Sequence, residues 1–215
     1  MMRKTERFKR FIDYFLEHQP HPETELKYRA PYELAVAVIL SAQCTDKRVN
    51  IITPEFFKMF PTPESLVKAN SQEVYELIKS CTYPNNKTKS LIGMAKMLID
   101  QFNGVLPSDI KELQRLPGIG RKSANVLASV LFGKPAMAVD THVFRVAARI
   151  GLTTNAKTPL QTEIQLVNHI PEQFIPRAHH WLILHGRYIC IARKPKCREC
   201  GLTSFCRYYE NLSDR

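Results

Sequence analysis

Two reactive side chains, Lys122 and Asp140, lie 18 positions apart, and each occurs in a sequence typical of a helix start. Lys122 follows the turn Leu116–Gly120 and Arg121, where one proline and two glycines precede a helical pattern. The start of a helix presents backbone N–H groups to an anion. A lysine amine can act as a nucleophile, and a carboxylate can stabilise the positive charge that then develops. The pattern therefore indicates a phosphate-binding turn beside a candidate nucleophile.

The turn Leu116–Gly120 has two interpretations. Proline and glycine are the expected residues of any turn that connects two helices. Alternatively, the turn is the hairpin of a helix-hairpin-helix, in which Gly118 and Gly120 let backbone N–H groups approach a phosphate without reading a base. Because Arg121 and Lys122 follow directly in a basic chain, we favour phosphate binding.

Lys122 and Asp140 also have ordinary interpretations. Most lysines are solvated, and a lysine nucleophile must first lose its proton. A helix N-terminus, partial burial and the neighbouring cation Arg121 each favour the neutral amine, so we expect Lys122 to be partly buried. Asp140 follows an apolar segment, residues 136–139, and is also expected to cap the next helix. A capping carboxylate still faces whatever enters the site, so both roles can hold.

Four cysteines within 17 positions near the C-terminus indicate a metal site: Cys190, Cys197, Cys200 and Cys206. Zinc and a [4Fe–4S] cluster each take four thiolates, and the spacing matches neither the usual zinc ribbon nor the ferredoxin pattern, so both stay open on spacing alone. Cys44 and Cys81 lie outside this group and are expected to be small buried residues.

A basic segment connects the first two of these cysteines and carries Arg193, Lys194 and Lys196. Residues 187–215 hold seven Lys and Arg residues against three Asp and Glu residues, a net charge of +4. The segment is either a solvated loop or, as we favour, a DNA contact, because anchoring it at both ends lowers the entropy lost on meeting a phosphate.

The overall composition favours a polyanionic partner. The chain of 215 residues carries a formal net charge of +11, has a pI near 9.5 and is 44% hydrophobic, which is sufficient for a folded core. The N-terminal residues do not form a signal peptide, and the longest apolar run, Leu34–Leu40, is too short to span a membrane. We therefore expect an intracellular protein without a membrane partner, cytoplasmic or nucleoid-associated if its source is bacterial or archaeal.

Helical patterns must position these residues. Apolar residues recur at helix spacing around Phe8–Leu16 and Leu91–Leu98, and about ten short helices are expected, with little strand-like alternation. The segment Pro31–Gln43 is apolar nearly all round, which predicts a buried central helix whose polar end emerges at a surface. Four helix starts are also predicted, at Thr62, Ser71, Ser108 and Thr158.

The stretches Leu116–Asn125 and Ala138–His142, the segment Ile39–Gln43 and the four C-terminal cysteines resemble the helix-hairpin-helix base-excision DNA glycosylases, most closely the endonuclease III branch. The resemblance covers nearly the whole chain. It implies an all-α fold with a six-helix domain over residues 24–134, a second domain formed by residues 1–23 and 135–215, and a DNA cleft between them. It also implies that the loop 190–206 holds a [4Fe–4S] cluster through the four cysteines.

Residue roles follow from the same resemblance. Lys122 matches the lysine nucleophile and Asp140 the catalytic aspartate, and Gln43 resembles the residue that fills the gap left by a flipped base. Residues 82–84 occupy the region of a second wedge. The resemblance and the charge pattern together assign DNA contacts to Gln43, Gly118, Gly120, Arg121, His142, Arg193, Lys194 and Lys196, with Arg145 as a further candidate. The related adenine glycosylases have a glutamate within the segment that corresponds to Ala37–Leu40, which is apolar here, and lack the lysine.

The resemblance implies a monomer that acts on double-stranded DNA containing a damaged base or an abasic site. The nucleotide is flipped out, the lysine displaces an oxidised pyrimidine, and the resulting Schiff base allows β-elimination at the abasic site. Two alternatives are a glycosylase of the same fold for another damaged base or mismatch, and a catalytically silent helix-hairpin-helix DNA-binding protein. Charge and turn chemistry alone do not distinguish the three.

Overall fold

The computed structural model describes residues 2–213, and over this range the protein contains helices and no strand. The predicted all-α fold is confirmed. Twelve α-helices are present in the described residues, rather than about ten. The additional helices are short, such as Pro63–Val67 and Ile110–Arg115, and so few residues cannot establish a clear helical period. None of the described helices combines the length and apolar character needed to cross a bilayer.

The α-helices are, in chain order, α1 Lys4–His18, α2 Pro31–Ser41, α3 Asp46–Met59, α4 Pro63–Val67, α5 Ser71–Ile78, α6 Pro84–Phe102, α7 Ile110–Arg115, α8 Arg121–Phe132, α9 Thr141–Ile150, α10 Pro159–Val167, α11 Ile175–Tyr188 and α12 Arg207–Ser213. Three single 3₁₀ turns lie at Glu172–Phe174, Cys197–Glu199 and Thr203–Phe205.

The chain divides into two compact units. The hairpin unit is Thr24–Phe132 and contains α2 to α8. The cysteine unit comprises the residues up to Glu23 together with those from Gly133 onwards, and contains α1 and α9 to α12. Each unit has its own set of buried residues.

Helix α2 forms the centre of the hairpin unit. Its residues from Tyr32 to Leu40 are all buried, and it packs against α3, α6 and α8. An apolar surface on every side suits a helix that is surrounded by others, which confirms the predicted central helix. The helix ends at Ser41, so Gln43 lies beyond it and is exposed, as expected for the polar end.

The helix starts follow the expected chemistry, with one correction. The Thr62 and Thr158 hydroxyls accept hydrogen bonds from Ser65 N–H at 3.4 Å and Gln161 N–H at 3.2 Å, as predicted. Helix α5 begins at Ser71, as predicted, with Asn70 as its cap. Helix α7 begins at Ile110 rather than at Ser108, because Asp109 takes the cap position.

Helix α1 completes the core of the cysteine unit. The Phe15 ring stacks on the Trp181 ring of α11 with 5.5 Å between centroids, and Phe11 meets Trp181 edge-on at 6.0 Å. The Trp181 indole N–H donates to the Gln19 carbonyl at 2.7 Å. Burial of these aromatic side chains, worth about 2 kcal/mol each, fixes α1 in a unit whose other helices lie more than a hundred residues further along.

Candidate active site

The turn between α7 and α8 is a glycine hairpin. Gly118 has φ +83°, and a Cβ there would lie 2.7 Å from Ser90 Cβ, so the fold itself requires glycine. Gly120 is different, since a Cβ there would meet no atom within 4 Å. Leu116 and Ile119 are buried and anchor the turn. The open space beside Gly120 lies at the N-terminus of α8, where the helix dipole favours an anion.

Lys122 is the second residue of α8 and is exposed. The expected partial burial is wrong, because the buried part of α8 begins only at Ala124. The amine therefore lies on the exposed first turn of α8, which directly follows Gly120. A flexible exposed lysine can reach a ligand that binds at this helix end without a rearrangement of the core.

Asp140 is the N-cap of α9, and its Oδ1 accepts a hydrogen bond from the Val143 backbone N–H at 2.7 Å. The capping role is therefore confirmed. The preceding residues Met137 and Val139 are buried in the core of the cysteine unit, which fixes the backbone that leads to the carboxylate. Since a carboxylate has two oxygens, the cap leaves Oδ2 to interact with a bound molecule. Asp140 and Lys122 belong to different units, so each is positioned by its own core.

Gln43 and Tyr83 form a paired turn in the hairpin unit. Both have left-handed backbone conformations, with φ +54° and +56°, and the hydroxyl of Thr82 donates to the Gln43 carbonyl at 2.8 Å. Each such conformation costs about 1 kcal/mol in a residue other than glycine. The two segments that the sequence suggested as separate wedges are therefore joined, and Tyr83 is 59% exposed. Strained, exposed residues of this kind often lie at ligand sites.

Lys87 supports this paired turn and was not identified from the sequence. Its buried Nζ donates to the Leu40 carbonyl at 2.7 Å and to the Ala42 carbonyl at 2.8 Å. These are carbonyls at the C-terminal end of α2, where a cation complements the helix dipole. Burial lowers the pKa of Lys87 from its ordinary value. Nothing in the local pattern of α6 distinguishes this lysine, because its partners are contributed by α2.

His142 and Arg145 lie on the first turns of α9 and contact each other. The Arg145 Nη2 and His142 Nδ1 atoms are 3.3 Å apart. Arg145 also donates to the Gly186 carbonyl at 2.8 Å and to the Cys190 carbonyl at 3.1 Å. Its guanidinium therefore connects α9 to α11 and to the start of the cysteine loop. Arg145 thus holds these segments together, and its phosphate contact stays a prediction.

Arg149 was also missed and holds the same loop one helical turn further along α9. It donates to the Ile191 carbonyl at 2.7 Å and the Ala192 carbonyl at 2.8 Å, and its Nη1 lies 3.5 Å from Cys190 Sγ. Its guanidinium also stacks over the Tyr208 ring at 4.8 Å. The spacing i, i+4 from Arg145 was the available signal, since it places both arginines on one helix face.

The four C-terminal cysteines line one pocket in the cysteine unit. His185, missed from the sequence, lies there with its Nε2 3.6 Å from Cys200 Sγ, and burial lowers its pKa to about 4. Burial raises the pKa of Cys200 to about 11 and also raises that of Cys206, so these thiols are neutral until a metal displaces their protons.

Four thiols line one largely apolar pocket, and this is the ligand set that an iron–sulfur cluster takes. Four thiolates also hold a zinc ion, so the donor set suits either metal site.

The basic residues between the first two cysteines are exposed. Arg193 and Lys194 are both exposed, and Lys194 has a left-handed backbone with φ +54°. Lys196 lies 3.9 Å from the Glu199 carboxylate in an exposed ion pair of small energetic value. Gly201, which follows Cys200, packs under Tyr14 of α1, where a Cβ would lie 2.5 Å from the ring. The loop is therefore tied to α1 and α9.

Residues 36–172 match the model of the HhH-GPD superfamily, described as base excision DNA repair proteins, and the chain belongs to this family. Within it, the chain is 47% identical over 203 residues to Endonuclease III of Rickettsia conorii, covering 94% of this chain and 96% of that protein. It is 43% identical over 196 residues to Endonuclease III of Escherichia coli strain K12, covering 91% and 92%. The predicted resemblance to the endonuclease III branch is confirmed.

Solved structures agree with this placement. A non-covalent Endonuclease III–DNA complex superposes with a TM-score of 0.92 at 39% identity and covers 100% of both chains. A trapped Endonuclease III–DNA covalent intermediate gives a TM-score of 0.91 at 39% identity, covering 99% of this chain and 100% of that chain. A thermostable thymine-DNA glycosylase is more distant, with a TM-score of 0.83 at 26% identity, covering 96% of this chain and 98% of that chain.

Proposed function

We propose that the protein is a base-excision repair enzyme that removes damaged pyrimidines from DNA and cleaves the abasic site that results. The observation that carries this proposal is an exposed amine, Lys122, on the first turn of a helix that begins at an open glycine hairpin. Endonuclease III of Rickettsia conorii matches 94% of this chain, and an Endonuclease III that matches 99% of it was captured in a covalent intermediate with DNA.

In the proposed reaction the neutral amine of Lys122 attacks C1′ of a flipped nucleotide, and the base leaves with the bonding electrons. The Asp140 carboxylate stabilises the positive charge on the sugar and accepts a proton from the nitrogen. The proton held by Asp140 is then transferred to O4′ as the C1′–O4′ bond breaks, which opens the sugar ring and leaves a protonated Schiff base between Lys122 and C1′. The Schiff base acidifies the adjacent C2′ proton, and removal of this proton expels the 3′ phosphate. Hydrolysis of the Schiff base returns the free lysine.

DNA is bound by groups that are accessible at the surface of the protein. The N-terminus of α8 beside Gly120 binds a backbone phosphate, and Arg121 adds its positive charge. Gln43 fills the gap left by the flipped base, since its turn is exposed. His142 and the loop residues Arg193, Lys194 and Lys196 contact phosphates. The substrate is a damaged base or abasic site in duplex DNA, the enzyme works as a monomer, and it is located with the chromosome.

Four cysteines, Cys190, Cys197, Cys200 and Cys206, would hold a [4Fe–4S] cluster in the pocket that they line. The cluster would supply a structural crosslink, since the proposed reaction transfers no electrons. Arg145 and Arg149 fix the entry to this loop, and Tyr14 covers Gly201. Metal analysis after anaerobic purification tests the proposal, with about four irons per chain expected and stoichiometric zinc as the contrary result.

A same-fold glycosylase for mismatched thymine is a second candidate, because a thymine-DNA glycosylase shares the fold at 26% identity. A panel of duplexes that each carry one lesion or mismatch distinguishes the two. Release of an oxidised pyrimidine is expected to be faster than release of mismatched thymine. The reverse order would favour the second candidate.

Borohydride trapping tests the nucleophile. Lys122→Gln removes the amine and is expected to abolish the covalent adduct with lesion DNA, while DNA binding is retained. Lys58→Gln on α3 is the matched control, because Lys58 is equally exposed in the same unit. An undiminished adduct with Lys122→Gln would contradict the proposed role.

A further inference from the structure

The two cysteines outside the cluster pocket lie against each other. Cys44 and Cys81 are 37 positions apart in sequence, but their sulfurs are 3.8 Å apart in the hairpin unit. Neither is in a disulfide. Cys81 is buried, as predicted, whereas Cys44 is only half-buried, so the expectation of two small buried residues is wrong for Cys44.

We propose that Cys44 and Cys81 are a reversible redox site that a low-molecular-weight disulfide converts to an intramolecular disulfide. A disulfide bond is about 2.05 Å long, so the sulfurs must approach by about 1.8 Å, which side-chain rotation and a small backbone shift provide. Both positions adjoin the paired turn, since Cys44 follows Gln43 and Cys81 precedes Thr82. The hydrogen bond from Thr82 to Gln43 already holds the two segments together.

The two thiols differ in accessibility, which sets the order of the steps. The half-buried sulfur of Cys44 can meet a dissolved disulfide first. Burial raises the pKa of Cys81 to about 11, so Cys81 is the second reactant. The ammonium of Lys87 acts electrostatically on the Cys81 sulfur and favours its thiolate form, against the larger effect of burial.

Each step conserves atoms and electrons. The Cys44 thiolate attacks one sulfur of glutathione disulfide, forms a mixed disulfide and releases one glutathione thiolate. Cys81 loses its proton to solvent, its sulfur attacks Cys44 Sγ, and a second glutathione thiolate leaves. The protein loses two electrons and two protons in total, and one glutathione disulfide becomes two glutathione molecules. Excess reduced glutathione reverses the sequence.

This disulfide would act on the DNA-binding turn, a consequence that rests on the proposed function. Drawing Cys44 and Cys81 together displaces Gln43 and Tyr83, whose backbones already adopt left-handed conformations. A displacement of about 1 Å at a substrate-contacting residue can slow a reaction by as much as 100-fold. We therefore expect the oxidised enzyme to release a damaged base about tenfold more slowly than the reduced enzyme.

The first experiment tests the disulfide alone. Holoprotein with its metal site intact is incubated anaerobically with glutathione buffers of increasing disulfide content, the remaining thiols are blocked with N-ethylmaleimide, and non-reducing digests are analysed by mass spectrometry. A crosslinked Cys44–Cys81 peptide is expected. In the Cys81→Ser variant, the reaction is expected to stop at a mixed disulfide between Cys44 and glutathione. In the Cys44→Ser variant, Cys81 is expected to remain unmodified. A wild-type protein that stops at the mixed disulfide, or remains a dithiol, would overturn the proposal.

The second experiment measures base release from a duplex with one oxidised pyrimidine. Oxidised wild type is expected to be slowed and to recover with dithiothreitol, whereas Cys44→Ser is expected to be equally active in either buffer. A crosslinked enzyme with an unchanged rate would refute the effect on the turn. If the reduced enzyme releases no damaged base from any duplex, the proposed function is refuted. The crosslinked Cys44–Cys81 peptide would still establish the disulfide in that case.

Discussion

Three residues of the hairpin unit and three of the cysteine unit use their polar groups differently. In the hairpin unit, Lys122 is exposed, Gly120 borders open space, and Gln43 is held in a strained, exposed turn. In the cysteine unit, Arg145 and Arg149 bind backbone carbonyls, and the Asp140 carboxylate caps a helix. The three hairpin-unit residues therefore leave polar groups accessible to a ligand, whereas the two arginines fix the structure of their own unit. The proposed reaction requires Asp140 to do both.

Asp140→Asn gives the largest expected effect, because it separates these two roles. Asparagine caps a helix as well as aspartate does, so the free energy of unfolding should change by less than about 0.5 kcal/mol. Loss of the charge should slow single-turnover base release by about 100-fold or more. Asp109→Asn is the matched control, because Asp109 caps α7 in the same manner. An unchanged rate for Asp140→Asn would show that Asp140 only caps the helix.

Arg149→Met tests whether the cysteine unit depends on its internal arginines. The variant loses two charged hydrogen bonds to the loop carbonyls of Ile191 and Ala192, so the free energy of unfolding should fall by about 3 kcal/mol. Iron content should fall with it, as measured by metal analysis of the purified variant. Arg193→Met, an exposed residue of the same loop, should change neither quantity. Equal stability of the two variants would refute the structural role of Arg149.

Gly118→Ala and Gly120→Ala distinguish a glycine that the fold requires from one that phosphate binding requires. Alanine at Gly118 needs a left-handed backbone and crowds Ser90, so chemical denaturation should show a loss of about 2 kcal/mol. Alanine at Gly120 meets nothing within the chain and should leave stability unchanged. It should nevertheless weaken DNA binding by about fivefold, or about 1 kcal/mol, if a phosphate approaches there. Normal DNA affinity for a stable Gly120→Ala protein would contradict the anion site.

The smallest effect is expected from the basic loop. Lys194→Ala should reduce the slope of log affinity against log salt by about one unit if its ammonium meets a phosphate. Lys196→Ala should reduce it by less, because Lys196 already pairs with Glu199. Fluorescence anisotropy over a salt series measures both slopes, with Lys58→Ala as the control. Lesion specificity should not change, and identical slopes for all three variants would place the loop away from DNA.

The sequence predicted those features that depend only on residues close to one another in the chain. The Leu116–Gly120 turn, the Asp140 cap and the central helix α2 all follow from residue types within a few positions. Lys87 and the Cys44–Cys81 pair could not be found in this way, because their partners are brought close only by the packing of α2 and α6. Lys122 was predicted to be partly buried on chemical grounds, but the buried face of α8 begins only at Ala124.

The packing of α1 on Trp181 sets the order in which the two units can fold during synthesis. Residues Thr24–Phe132 contain the whole hairpin unit, so this unit can fold while the ribosome is still making the remainder. Phe15 can stack on Trp181 only after Trp181, which is 166 residues further along the chain, has been synthesised. At roughly 5 to 20 residues per second, the aromatic face of α1 stays without its partner for about 10 to 30 s. During that interval the apolar face of α1 remains uncovered on the nascent chain, and the cysteine unit is the last to complete its core.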